Sequence, residues 1–138
     1  MSALRSARAI ITLTALICAS TASAATITVS LDLQGGYGNS TLKACGITHH
    51  YTLYRRGEPI KVDGAVSPAP TASIRVKLKL KQCLNGSFRT IWTGHARVAT
   101  NGTYSGTFPA RRPGSYFARA YYEGPTKVKS DKRYFRAT

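Results

Sequence analysis

Apolar and cationic side chains alternate without a break between residues 74 and 81. Apolar residues hold the even positions and cations hold the odd positions. The cations are Arg75, Lys77, Lys79 and Lys81. Successive side chains of a strand point to opposite faces, so this pattern predicts a strand with one buried face and one solvent-exposed face. A helix would instead spread these cations around its circumference.

The rest of the chain beyond residue 25 consists of short segments rich in strand-forming residues, separated by turn signals. Asn85-Gly86 and Asn101-Gly102 are typical of two-residue hairpin turns, and Pro113-Gly114 of another turn. The predicted strands are residues 26–33, 51–55, 60–66, 74–81, 88–93, 95–100, 103–108, 115–122 and 128–136. Residues 34–48 are predicted to form a polar, glycine-rich loop. No segment shows a helical period, so we expect an all-β sandwich or barrel.

The first 24 residues have the pattern of a secretory signal peptide. Arg5 and Arg8 precede an apolar core at residues 9–17, and Ala22-Ser23-Ala24 offers the small residues that a signal peptidase needs. The core is shorter than the roughly 20 residues of a membrane span. We therefore expect cleavage after Ala24, a secreted protein, and no transmembrane segment in the mature chain.

Two of the three cysteines lie beyond the predicted leader. Cys18 would be removed with it, which leaves Cys45 and Cys83 in an oxidising compartment. An even number of cysteines in a small secreted domain favours one disulfide between them. Two free thiols are the alternative.

Residues that could perform chemistry are sparse. The five carboxylates are Asp32, Glu58, Asp63, Glu123 and Asp131, and no two of them are spaced for acid–base catalysis. His49 and His50 are adjacent, so on a strand they point to opposite faces and do not form a metal site. No nucleophile elbow and no phosphate-binding loop is present. We expect no enzymatic activity, no metal and no cofactor.

From about residue 52 to the C-terminus, the chain resembles the immunoglobulin-like domains of secreted and surface bacterial proteins. The resemblance depends on residues 56–68, the alternating strand at 74–81, and the segments 87–92, 101–108, 113–120 and 130–131. It implies an immunoglobulin-like β-sandwich of about seven to eight antiparallel strands. It also implies a role in adhesion, spacing or binding. The corresponding organisation is a signal peptide at 1–24, an N-terminal extension at 25–48 and the immunoglobulin-like domain at 49–138.

Two features of that resemblance concern single residues. Tyr116 follows the Pro113-Gly114 turn and looks like the tyrosine of a tyrosine corner, whose hydroxyl binds nearby backbone. Ala118 stands where antibody domains have their second cysteine. A Cys45–Cys83 bond would therefore replace the usual disulfide between sheets and tie the extension to a central strand. Trp92 is interpreted as a core residue rather than a ligand platform.

Charge is the most distinctive property of the chain, with 20 Lys and Arg against 5 Asp and Glu. Removing Arg5 and Arg8 with the leader lowers the formal charge from +15 to +13. The cations of residues 75–81 would form an anion-binding sheet face. The face becomes larger if neighbouring strands place cations beside it, for which the candidates are Arg89, Arg97, Arg119, Lys127 and Lys129. The alternative is that these cations serve only solubility and protect against aggregation.

These features lead to a hypothesis for function and to one alternative. The hypothesis is a secreted, non-catalytic module that binds an anionic cell-surface or extracellular polymer through its basic sheet face. The alternative is a protein-binding module, either adhesin-like or an inhibitor of a secreted enzyme, that uses loops such as residues 35–40 or 109–114. Export and the absence of a nucleic-acid-binding motif argue against nucleic acid as the partner. The absence of an amphipathic helix argues against membrane activity.

Overall fold

The computed structural model describes residues 25–109 and 112–138, so the predicted signal peptide lies outside the described residues. Every named element in these ranges is a strand, and there are ten. The strands are β1 (Thr28–Val29), β2 (Asp32–Leu33), β3 (Gly38–Ala44), β4 (Ile47–Tyr54), β5 (Ile60–Ser67), β6 (Arg75–Leu84), β7 (Ser87–Arg97), β8 (Thr103–Phe108), β9 (Gly114–Tyr122) and β10 (Arg133–Ala137).

The strands form two sheets that pack face to face, which confirms the predicted all-β sandwich. In the small sheet, β5 pairs with β8 along one edge and with the short strands β1 and β2 along the other. The large sheet has the order β3-β4-β10-β9-β6-β7. All of its neighbouring pairs are antiparallel except β4 and β10, which run parallel.

The main core lies between the two sheets and is built from residues that alternate along each strand. Its fully buried members include Ile60 and Val62 from β5, Leu78 and Leu80 from β6, and Phe135 from β10. Burial alternates with a period of two along β5 and β6, so each of these two strands turns its other face outward. The alternating segment 74–81 therefore forms the predicted kind of strand.

A second apolar cluster lies on the outer side of the large sheet. The strands β3 and β4 form a hairpin whose tip, at Cys45, is disulfide-bonded to Cys83 at the end of β6. In the sheet order, β10 and β9 separate β4 from β6, so the hairpin folds across the outer side of both. Apolar side chains of the hairpin pack there against side chains of β7, β9 and β10, and we call this group the hairpin cluster: Leu42, Ala44, Tyr51, Phe88, Phe117 and Tyr134.

The hairpin is also where the structure differs most from the sequence-based expectation. Much of the predicted loop at residues 34–48 is strand β3 and the start of β4, with seven registered pairs between them. The turn that joins the two strands is Cys45-Gly46, in which both residues have positive φ. This is the conformation of a type I′ hairpin turn, but Cys-Gly is not a usual signal for it. The boundary proposed between residues 48 and 49 falls inside β4.

Other differences concern strand limits and one turn. The predicted strands 88–93 and 95–100 are a single strand, β7. Regular pairing of the last strand begins only at Arg133, although Lys129 forms an isolated bridge to Tyr121. Asn85-Gly86 forms the predicted hairpin turn between β6 and β7. The Asn101-Gly102 turn instead links β7 in the large sheet to β8 in the small sheet, because β8 pairs with β5.

Candidate anion-binding face

Strand β6 presents its cations on the outer side of the large sheet. Val76, Leu78 and Leu80 are at most 1% exposed and point into the core. The intervening side chains face outward: Arg75 is exposed, and Lys77 and Lys79 are partly exposed. Gln82 continues the inward series and is buried, with its side-chain amide 3.5 Å from the carbonyl oxygen of Pro113.

Strand pairing brings further cations beside those of β6. Arg75 lies opposite Arg97 of β7, and Lys79 lies opposite Arg119 of β9. The guanidinium of Arg119 donates a hydrogen bond to the carbonyl oxygen of Ser130, at 2.7 Å. Cross-strand partners share a face of the sheet, so these cations form one outward-facing group.

The segment that follows β9 adds two more lysines. Lys129 bridges to Tyr121, and the backbone N–H of Tyr122 donates to the carbonyl oxygen of Val128. This backbone pairing holds Lys127 and Lys129 next to Lys77 and Lys79 around a cleft of about 580 Å³. We call the resulting surface the basic face. Its cations are Arg75, Lys77, Lys79, Arg97, Arg119, Lys127 and Lys129.

One carboxylate lies within the basic face. Oε1 of Glu123 is 3.5 Å from Nζ of Lys77 and 3.2 Å from Nε2 of His95. Two other carboxylates have partners elsewhere. Oδ1 of Asp32 is 3.3 Å from Nη2 of Arg133, and Oδ1 of Asp63 accepts a hydrogen bond from the side-chain amide of Gln34 at 2.8 Å. The basic face therefore keeps an excess of positive charge.

The structure places the remaining two predicted site residues differently. Lys81 lies near the hairpin cluster, with its ammonium 5.6 Å from the centre of the Phe117 ring. Arg89 pairs with the inward-facing Gln82 and so lies on the opposite side of the sheet. The reason is a bulge: Leu80 pairs with Trp92 and Lys81 with Thr90, so one extra residue of β7 reverses its alternation. Arg97 and Arg89 lie on either side of the bulge, and Arg97, which pairs with Arg75, remains on the basic face.

The predicted structural residues lie away from the basic face. Tyr116 stacks on Phe135, with ring centroids 5.1 Å apart, and its hydroxyl donates to the carbonyl oxygen of Arg112. Burial raises the pKa of Tyr116 above its ordinary value. Trp92 is partly buried and packs edge-on against Phe108, which agrees with its interpretation as a core residue.

The histidines make separate contacts. His49 stacks on Tyr134 with ring centroids 4.1 Å apart, while Nδ1 of His50 is 3.0 Å from Oγ1 of Thr41. Within residues 25–109 and 112–138, no three His, Cys, Asp or Glu side chains are grouped in a way that could hold a metal ion.

The contributions of Lys127, Lys129 and Glu123 to one cleft depend on tertiary structure. From the sequence, the two lysines are only possible neighbours of the β6 cations, and Glu123 is one of five carboxylates with no assigned role. Their alternation with the inward-facing Val128 is the one local signal that could have placed the two lysines on a common face.

Comparisons with known proteins do not assign this chain to a family. No protein-family model matches the sequence, and no significant match is found among the curated proteins. Across the part of the chain that the structure describes, no helix is long and apolar enough to cross a membrane.

Proposed function

We propose that this protein is a secreted, non-catalytic immunoglobulin-like module that binds an anionic polymer through the basic face. The observation that carries the proposal is the concentration of cations from β6, β7, β9 and residues 127–129 on the outer side of the large sheet. Four of these cations line one cleft, in which Glu123 is the one carboxylate among the described residues. Such a surface attracts polyanions by its summed field as well as by direct contacts.

The strand order supports the immunoglobulin-like part of the proposal. In immunoglobulin domains, the second and fifth strands pair in one sheet, while the third, sixth and seventh form the other. Here β5 and β8 pair in the small sheet, and β6, β9 and β10 are neighbours in the large one. The hydrogen bond from Tyr116 to the Arg112 backbone has the geometry of a tyrosine corner. The β3–β4 hairpin is an addition to that arrangement.

The hairpin also supports a binding role for the basic face. The β3–β4 hairpin covers the end of the outer surface near Cys83 and Phe88, whereas the end that carries Lys77 and Lys79 stays uncovered. If the cations served only solubility, they would not need to converge on a cleft, because dispersed surface charge has the same effect.

The test compares two charge-reversal variants of equal net charge. Lys79→Glu/Lys129→Glu alters the cleft, and the control Lys43→Glu/Lys61→Glu alters exposed lysines of β3 and β5. Retention of each is measured on immobilised polygalacturonate and on long-chain polyphosphate over a series of salt concentrations. We expect the wild type to bind at low salt and elute as salt rises, and the cleft variant to bind at least about tenfold more weakly, a loss of about 1.4 kcal/mol.

The control variant should keep most of the affinity, because it preserves the basic face. Equal weakening of both variants would mean that only net charge matters, and would overturn the proposal. No binding of the wild type to any anionic polymer would overturn it as well. Capture of a partner protein that persists at high salt and in the cleft variant would favour the alternative protein-binding module.

A further inference from the structure

We propose that the cleft of the basic face selects an acidic polysaccharide, with a sugar ring against Tyr121 and a sugar hydroxyl hydrogen-bonded to Glu123. This inference rests on the proposed function and names the ligand class. The inference is based on Tyr121 and Glu123, because a surface that binds anions by charge alone needs neither of them.

Tyr121 places a partly exposed aromatic ring among the lysines. It lies directly opposite Lys77 on β6 and bridges to Lys129 on its other side, so cations flank it on both neighbouring segments. The ammonium of Lys79 is 4.9 Å from the centre of the ring. The long side chain of Lys79 is flexible, so the ammonium can move from the ring to a ligand carboxylate.

A sugar ring suits this combination. The C–H face of a pyranose is apolar and packs against an aromatic ring, while an acidic group on the same sugar binds an adjacent ammonium. Ligand sites of this kind combine apolar contact area with a few placed polar groups, within volumes of about 300–1,000 Å³. The cleft, at about 580 Å³, is within that range.

Glu123 discriminates between classes of polyanion. Its contacts to Lys77 and His95 are both made through Oε1, so Oε2 is the oxygen that would accept a hydrogen bond from a sugar hydroxyl. An ionised carboxylate only accepts hydrogen bonds, so it suits a hydroxyl donor and repels a phosphate oxygen. A polymer of phosphates without hydroxyls would gain from losing Glu123, whereas a polysaccharide would lose a hydrogen bond.

The experiment measures the affinity of variants for two probes, polygalacturonate oligosaccharides and long-chain inorganic polyphosphate. Tyr121→Leu should weaken binding of the sugar acid by about five- to tenfold, that is up to about 1.4 kcal/mol, and change polyphosphate binding by less than about twofold. Tyr121→Phe, which keeps the ring, should retain sugar binding. Glu123→Ala should weaken binding of the sugar acid and strengthen binding of polyphosphate.

The outcomes separate this inference from the proposed function. If Tyr121→Leu and Tyr121→Phe bind both probes like the wild type, or if Glu123→Ala strengthens binding to both, the selection of a sugar is overturned and anion binding remains. If the wild type binds neither probe, or if Lys79→Glu/Lys129→Glu binds both as the wild type does, the proposed function fails first. Urea unfolding of each variant identifies any loss that is due to misfolding.

Discussion

At the scale of single residues, position within the sheet decides what a side chain does. Arg89 and Arg97 lie on the same strand, yet only Arg97 faces outward beside Arg75, because the bulge in β7 reverses the alternation between them. Trp92 faces the main core, and the absence of a side chain at Gly94 leaves room for its ring. Strand structure was predictable here, although as two strands rather than one, but the bulge was not, since it depends on how β6 and β7 pair.

The close approach of Gly94 and Trp92 gives a prediction about stability. A Cβ atom at Gly94 would overlap the Trp92 ring, so Gly94→Ala should displace the ring from Phe108. We expect the free energy of unfolding, measured in urea, to fall by about 1–3 kcal/mol, as for other overpacked cores. We also expect the tryptophan fluorescence of the folded protein to shift. Gly38→Ala is the matched control, because a Cβ there meets nothing within 4 Å. Equal effects of the two substitutions would contradict this account of Gly94.

At the scale of elements, the β3–β4 hairpin is the unit that sequence reasoning missed. Strand β3 of this hairpin is polar and contains glycine, and it lacks the alternation seen in β6. Its stability depends on pairing with β4 and on packing within the hairpin cluster. Tyr51 and Phe117 are 0% and 4% exposed on what would otherwise be a solvent-facing side of the sheet. The sequence did favour a Cys45–Cys83 bond, but not the hairpin that this bond holds across the sheet.

Removing the disulfide should therefore affect both stability and the hairpin cluster. Cys45 and Cys83 are 38 residues apart, and closing a loop of this length stabilises a fold by about 3–4 kcal/mol in the chain-entropy model. Cys45→Ser/Cys83→Ser should lose about that much in urea unfolding and bind a hydrophobic dye more strongly, because the cluster becomes accessible. Wild-type protein treated with a reductant serves as a comparison and should behave alike. Unchanged stability and dye binding would show that the hairpin holds its position without the bond.

At the scale of the whole molecule, buried tyrosines connect segments that are distant in sequence: Tyr54 connects the large sheet to the segment after β2, and Tyr104 connects β8 to the segment between β1 and β2. The hydroxyl of Tyr54 on β4 donates to the carbonyl oxygen of Gln34 at 2.7 Å, and that of Tyr104 on β8 donates to the carbonyl oxygen of Ser30. Burial raises the pKa of Tyr54 to about 12, and burial also raises the pKa of Tyr104 well above its ordinary value. The folded protein therefore keeps phenolic protons that the unfolded chain releases near pH 10.

Stability should consequently fall in alkali. Between about pH 10 and pH 12, the unfolded state binds fewer protons than the folded state, so each such tyrosine lowers the unfolding free energy by up to about 1.4 kcal/mol per pH unit. The stability that these protonated tyrosines contribute is fully present below about pH 10. Urea midpoints measured across this range should decline, and the decline should be shallower in Tyr54→Phe, which has no proton to lose. Identical declines in both proteins would refute the role of Tyr54.

The sequence by itself determined the all-β class and which side of β6 faces water. A period of two and a turn such as Asn85-Gly86 are local properties, because they do not depend on which strands become neighbours. Only the tertiary structure decided which strands become neighbours. That arrangement placed Lys127, Lys129 and Glu123 beside Lys77, turned Arg89 to the other side of the sheet and laid the β3–β4 hairpin over Phe117 and Tyr134. Strand pairing between distant segments depends on which surfaces can be buried together, and no local pattern encodes that.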